Sequence, residues 1–287
     1  MKAWCAAARW LRCALGVTPL VIGLTVVAFG TSSPELAVSV EAALSGNSSI
    51  AMGNVIGSNI ANIGLILGLT AMIRPMRVSP VLLRAQIPQM IGISLVLWLL
   101  ALDGTLGVWD GLLLVAGLVA FVVHSYLGVA GTAAVTGLTE IAPVAPAAQY
   151  KAWFLIVLFA GALAVGGMLF VNSAVEMARL FNLSEAVIGL TIVAVGTSMP
   201  ELATSVVAAL HKESDIAIGN IVGSNILNIL AILGLTALIS PLAGAGFSNV
   251  DYAAMIGFAV ILLPMAWSGR MLSRPEGTVL LLGYFSY

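Results

Sequence analysis

One segment of this chain is written twice. Residues 23–75 open with GLTVVAFGTSSPELAVSVEAAL, and residues 189–241 open with GLTIVAVGTSMPELATSVVAAL. At a constant offset of 166, without a gap, 36 of the 53 paired positions are identical. A repeat of this length binds both copies to the same supersecondary unit, so the two units and their relation constrain the fold before any other feature.

Each copy holds two apolar runs of membrane-crossing length, for which about 20 residues are needed. The whole chain of 287 residues is 61% apolar and 8% charged, with mean hydropathy +1.12. Soluble domains carry about 25% charged residues, so this chain is predicted to be an all-α polytopic membrane protein. Nine spans are expected near 18–44, 48–73, 80–101, 108–127, 152–180, 184–210, 215–239, 247–268 and 275–287. The leading helix of the second copy lies five spans after that of the first. An odd step reverses direction, which makes the copies inverted-topology repeats, a common build for secondary transporters with a site near the midplane. The first repeat is assigned to 1–127, a cytoplasmic linker to 128–150 and the second repeat to 151–287.

Ten of the eleven basic residues fall before the first span or in alternate loops, with Arg179 on the other side. The positive-inside rule then puts the N-terminus in the cytoplasm and the C-terminus outside, in an inner membrane. Cys5 and Cys13 are too few for a disulfide framework. His124 and His211 stand apart, and no basic patch points to nucleic acid. No serine–lysine, serine–histidine or paired-aspartate constellation marks an intramembrane protease, so the chain is not read as an enzyme.

The chemistry sits in the repeated motifs. Glu35 and Glu201 are ionisable groups inside apolar spans, which by default marks a functional site. Thr31 stands four residues before Glu35, and Asn62 four after Ser58; residues four apart share a helix face. Thr197, Ser198, Glu201, Ser224 and Asn228 repeat the arrangement. Pro34 removes a backbone donor, and Gly30, Gly53 and Gly57 loosen the ladder. Breaks are therefore expected in both helices of each copy, exposing carbonyls around a cavity or protein interior. An all-oxygen ring of this kind suits calcium, sodium or protons. A single hydrogen-bonded carboxylic acid, and glycines that serve only close packing, are the plainer readings of the same residues. Glu41 and Glu176 are read as rim or surface residues.

GTSSPE with GNVIGSNIAN, then GTSMPE with GNIVGSNILN, resemble the paired alpha repeats of the calcium/cation antiporter superfamily, closest to the bacterial and archaeal sodium/calcium exchangers. The resemblance covers nearly the whole chain. It implies ten helices, eight in an ion-holding core and two long tilted ones that slide across it. It also implies calcium held by Glu35, Glu201 and the carbonyls of Thr31 and Thr197. Sodium would use Ala28, Thr31, Ser32, Glu35 and Ser58, mirrored by Ala194, Thr197, Ser198, Glu201 and Ser224, with Asn62 and Asn228 facing the central site. Asparagine at both of these last positions argues against potassium dependence. The stretch after each GN argues against the calcium/proton branch.

Calcium and sodium are thus expected as transported substrates without an organic cofactor, in a monomer whose partners are the bilayer and these ions. Four alternatives stay open: proton coupling in place of sodium, a passive cation channel, an ion-binding protein unable to cycle, and a start upstream of Met1. The last two arise because the 166 offset places the partner of span 152–180 before residue 1, leaving AAARWLRCALGVTPL as the tail of a largely missing first helix.

Overall fold

The computed structural model describes residues 19–136, 183–243 and 247–287, with Val165, Leu169, Ser173 and Glu176 as single positions. The expected tail of the first sliding helix, most of span 152–180 with Arg179, and linker residues 137–150 lie outside the described residues.

In lipid, backbone groups must be satisfied within their own segment, so long apolar runs become helices. In the first half α1 (Leu20–Thr31) and α2 (Ser33–Leu44) form one span bent by 44°, followed by α3 (Ser48–Ile73) and α4 (Leu82–Asp103). Next comes α5 (Val108–Thr136), so residues 128–136 are helical where the sequence reading began a linker. The second half repeats the order with α6 (Glu185–Thr197) and α7 (Met199–Leu210), bent by 42°, then α8 (Ser214–Ile239) and α9 (Asn249–Arg270). The ninth expected span is α10 (Arg274–Ser286), whose 13 residues are fewer than a full crossing needs. Among the described residues, five helices and the two bent pairs are long and apolar enough to cross a membrane.

The bends fall where proline was expected to cause them. Ser32 and Ser198 leave helical geometry at φ −82°, ψ 6°. Ladder bonds run from Ser32 N to Ala28 O (2.9 Å) and from Leu36 N to Ser32 O (3.2 Å), and the second copy repeats them at Ser198 and Leu202. Pro34 and Pro200 bring no N–H. Among the described residues no backbone N–H reaches the Thr31 or Thr197 carbonyl across the break.

The expected breaks at Gly53 and Gly57 do not occur. α3 and α8 each run unbroken for 26 residues and form the centre of the bundle, with 78% and 89% of their apolar windows buried. Their only irregularities are π-turns at Asn62–Leu67 and Asn228–Leu233. The glycines serve packing instead. A Cβ at Gly57 would strike the Leu190 carbonyl and lie 2.7 Å from Ala194 Cβ. A Cβ at Gly223, its equivalent, would lie 2.5 Å from the Leu24 carbonyl. The central helix of each repeat therefore rests on the bent helix of the other, at a distance only glycine permits.

Two short antiparallel ribbons demonstrate the inversion. β1 (Met76–Arg77) pairs with β4 (Met271–Leu272), and β2 (Thr105–Leu106) pairs with β3 (Leu242–Ala243). An offset of 166 converts one ribbon into the other, and the membrane-length α4 separates them. Equivalent loops of the two copies thus sit at opposite ends of the bundle. Several acidic side chains outside the centre are used locally. Asp251 and Glu276 close capping boxes at α9 and α10, and Asp110 accepts from Gly107 N at 2.8 Å. Glu41 and Glu176 are exposed.

Gly57→Ala should lower the melting temperature of the detergent-solubilised protein, since overpacking a tight contact costs about 1–3 kcal/mol. Gly92→Ala, where an added Cβ meets nothing within 4 Å, should be neutral or stabilising by about 0.5–1 kcal/mol as a helical Gly-to-Ala change. Equal melting temperatures for the two variants would contradict this packing.

Candidate functional site

Pro34 and Pro200 place Glu35 and Glu201 in the first turn after each break. Both carboxylates are fully buried, and among the described residues they are the only buried charged side chains. Neither is held by its own copy alone. Ser198 Oγ donates to Glu35 Oε1 at 3.2 Å, and Ser32 Oγ donates to Glu201 Oε1 at 3.0 Å. The break serine of each repeat therefore anchors the carboxylate of the other. Among the described residues, Oε2 of Glu35 and of Glu201 has no hydrogen-bond partner.

The threonines cross over in the same way. Thr31 Oγ1 donates to Asn220 Oδ1 at 3.2 Å, and Thr197 Oγ1 donates to Asn54 Oδ1 at 2.9 Å. The amide of Asn54 in turn donates to Ser39 Oγ at 2.9 Å and to the Glu35 carbonyl at 3.2 Å. Asn220 donates to Ser205 Oγ at 3.2 Å. Two turns on, Asn62 Nδ2 donates to Asn225 Oδ1 at 2.9 Å and Asn228 Nδ2 to Asn59 Oδ1 at 3.1 Å. Their own Oδ1 atoms are buried with no partner among the described residues. The unpartnered oxygens of Glu35, Glu201, Asn62 and Asn228 thus form two pairs related by the repeat.

At the serines of α3 and α8 the symmetry fails. Ser224 Oγ donates to Glu201 Oε1 at 3.3 Å, whereas its equivalent Ser58 Oγ donates to the Ala194 carbonyl at 3.4 Å. Among the described residues the Ala28 carbonyl accepts only locally, from Ser32 N at 2.9 Å and Thr31 Oγ1 at 3.2 Å.

The structure thus brings the residues singled out from sequence (Ala28, Thr31, Ser32, Glu35, Ser58, Asn62, Ala194, Thr197, Ser198, Glu201, Ser224 and Asn228) into the two motif helix pairs, and all but Ala28 and Ser224 take part in hydrogen bonds between the repeats. Asn54, Asn59, Asn220 and Asn225, fully or almost fully buried, were not singled out. A signal was available: each is identical in both copies and sits beside a motif glycine or serine.

Chemically, the cluster presents oxygen only. Two buried carboxylates without a cationic partner cost several kcal/mol unless their charge is offset. The hydroxyl donors supply part of this, since hydrogen bonds to charged groups contribute about 1.5–3 kcal/mol each. The remaining Oε2 and Oδ1 atoms and the freed Thr31 and Thr197 carbonyls are hard donors of the kind calcium and sodium select. Among the described residues no group of three or more His, Cys, Asp or Glu side chains stands together as a metal cage. The arrangement is instead two carboxylates supplemented by neutral oxygens.

Residues 3–127 and 151–287 match the family described as sodium/calcium exchanger protein. The putative antiporter CaxA of Alkalimonas amylolytica is 38% identical over 282 residues, 95% of this chain and 88% of that protein. Inner membrane protein YrbG of Escherichia coli is 39% identical over 261 residues, 88% of this chain and 79% of that protein. A solved structure of the sodium-calcium exchanger NCX_Mj, soaked with sodium and calcium, has a TM-score of 0.79 at 30% identity, covering 98% of this chain and 89% of that one. With both inverted repeats inside the matched residues, this chain belongs to the sodium/calcium exchanger protein family and is a polytopic cation antiporter.

Proposed function

We propose that the protein exchanges calcium for sodium across a bacterial inner membrane by alternating access, with the ions held near the midplane between Glu35 and Glu201. The observation that carries this reading is the pair of buried, cross-anchored carboxylates, each with one oxygen left unpartnered. Their combined charge of about minus two is balanced by one calcium or by two sodium ions. Without a bound cation the pair resists reorientation, because an uncompensated charge inside the bilayer costs at least a few kcal/mol. Exchange is then obligatory, and the two ions compete for one set of oxygens.

In this reading Thr31 and Thr197 contribute their freed carbonyls to calcium. Ala28, Ser32, Ser58, Ala194, Ser198 and Ser224 complete the sodium positions, and Asn62 and Asn228 close the centre. The differing contacts of Ser58 and Ser224 fit a carrier whose halves trade conformations: in the opposite state Ser58 turns to Glu35 and Ser224 to the Ala28 carbonyl. The basic loops lie in the cytoplasm. Arg77 in β1 and Arg270 beside β4 share one end of the bundle, which agrees with that orientation.

In liposomes, calcium uptake is expected only against an outward sodium gradient. Glu35→Gln and Glu201→Gln should each abolish it; uptake that persists in either variant, or that needs no counter-ion, rejects the exchange site. Calcium should also raise the melting temperature of the purified protein, since a ligand at 100 times its Kd adds about 2.7 kcal/mol, and Glu35→Gln should lose that gain. For orientation, an impermeant maleimide applied to spheroplasts, in a Cys5→Ser, Cys13→Ser background, should label Thr105→Cys in β2 and spare Met271→Cys in β4. The reverse pattern would invert the assignment.

A further inference from the structure

Asn59 and Asn225 lie at the crossing of α3 and α8, next to the ion site proposed above but outside the set of oxygens assigned to it. We infer that they are positioning residues: each fixes which end of the neighbouring asparagine amide, at Asn228 or Asn62, is left facing the cation. This inference rests on the proposed role of Asn62 and Asn228 as oxygen ligands.

An asparagine side chain has two ends of similar shape and opposite character: an oxygen that accepts and an NH2 that donates. Either end fits a socket equally well, so shape alone cannot keep an NH2 out of a cation site. Here the choice is settled from outside. Asn59 Nδ2 lies 3.3 Å from the Asn225 carbonyl and 3.8 Å from Met255 Sδ. A carbonyl and a thioether only accept, so this end of Asn59 must be the donor. Asn59 Oδ1 is then turned the other way and can only accept. It meets the amide of Asn228 at 3.1 Å, which must therefore present its NH2 to Asn59 and keep Oδ1 on the far side. That Oδ1 is the buried atom without a partner.

The second copy runs the same relay. Asn225 Nδ2 donates to the Asn59 carbonyl at 3.2 Å, so Asn225 Oδ1 accepts from Asn62 Nδ2 at 2.9 Å and Asn62 Oδ1 is left unpartnered. Each relay begins on a backbone carbonyl of the opposite central helix. A backbone carbonyl cannot change from acceptor to donor, so the polarity of the site is set by a group that no rotamer can reverse. Asn59 and Asn225 lie almost fully inside the protein, so water does not compete for these bonds.

The test separates orientation from mere packing by comparing two backgrounds. Calcium affinity is measured by calorimetry on the purified full-length protein in detergent. Asn59→Leu, which removes the acceptor for Asn228, is expected to weaken calcium binding roughly 10- to 100-fold, as loss of a group that orients a ligand typically does. In an Asn228→Asp background the same Asn59→Leu change should cost little or improve binding, because a carboxylate presents oxygen at both ends and needs no donor partner. An equal loss in both backgrounds would mean that leucine damages the crossing, and no loss in either would mean that Asn59 orients nothing. Either result overturns the relay. If Asn59→Leu does not yield folded protein, Asn225→Leu with and without Asn62→Asp makes the same comparison in the other copy. Glu35→Gln is measured alongside. If it binds calcium as well as the unaltered protein does, the ion site and the relay fall together; if it loses binding while Asn59→Leu does not, the relay alone falls.

Discussion

Two carboxylates fully enclosed in the middle of an apolar bundle set the terms for everything around them. A buried charge without a partner is among the most destabilising features a fold can carry, and among the described residues no basic side chain neutralises Glu35 or Glu201. Stabilisation comes from hydroxyls delivered across the molecule: Ser198 on Glu35, Ser32 on Glu201. Each donor belongs to the break in the opposite repeat. The breaks therefore do two things at once. They release carbonyls that a regular helix would have used, and they turn a serine outward from one half to the carboxylate of the other.

This reciprocity explains why the chain carries the segment twice and inverted. A single copy has the acid but not the donor that holds it. Two antiparallel copies supply each other, and the bonds come in images across the offset of 166. The images extend from the serine–glutamate pairs through the threonine–asparagine pairs to the mutual amide bonds of Asn59 and Asn225. Close approach is required for all of them. Glycine at positions 57 and 223 provides it, since a side chain there would meet backbone. At Ser58 and Ser224 the images differ in acceptor: one hydroxyl turns to a backbone carbonyl and its equivalent to a carboxylate.

Much of this was legible in the residues. The bend at Ser32 could be read because Pro34 lacks an N–H whatever its surroundings, and α9 and α10 could be placed because apolar length alone makes a helix in lipid. Glu35 and Glu201 announced themselves as charges out of place. The reading erred where a residue has two uses. Gly53 and Gly57 were expected to break α3, but a helix in lipid is held by its own ladder, and glycine there answers to the neighbour it must admit rather than to its own freedom. The composition from residue 128 reads as a linker, yet α5 continues to Thr136.

What the sequence by itself determined is the local deficit. It gave the apolar lengths, the doubled acid, the missing N–H beside each one and the opposed sense of the two copies, all of which follow from chain chemistry and counting. What only the tertiary structure decided is who meets that deficit. The partners of Glu35 and Glu201 lie 163 and 169 residues away along the chain, and Asn59 is fixed by a carbonyl 166 residues away. No local preference selects among the many serines and asparagines that could serve. The choice is made when glycine lets the central helices close on the broken ones, because hydrogen bonds act over about 3 Å and only the packed bundle brings those groups so near.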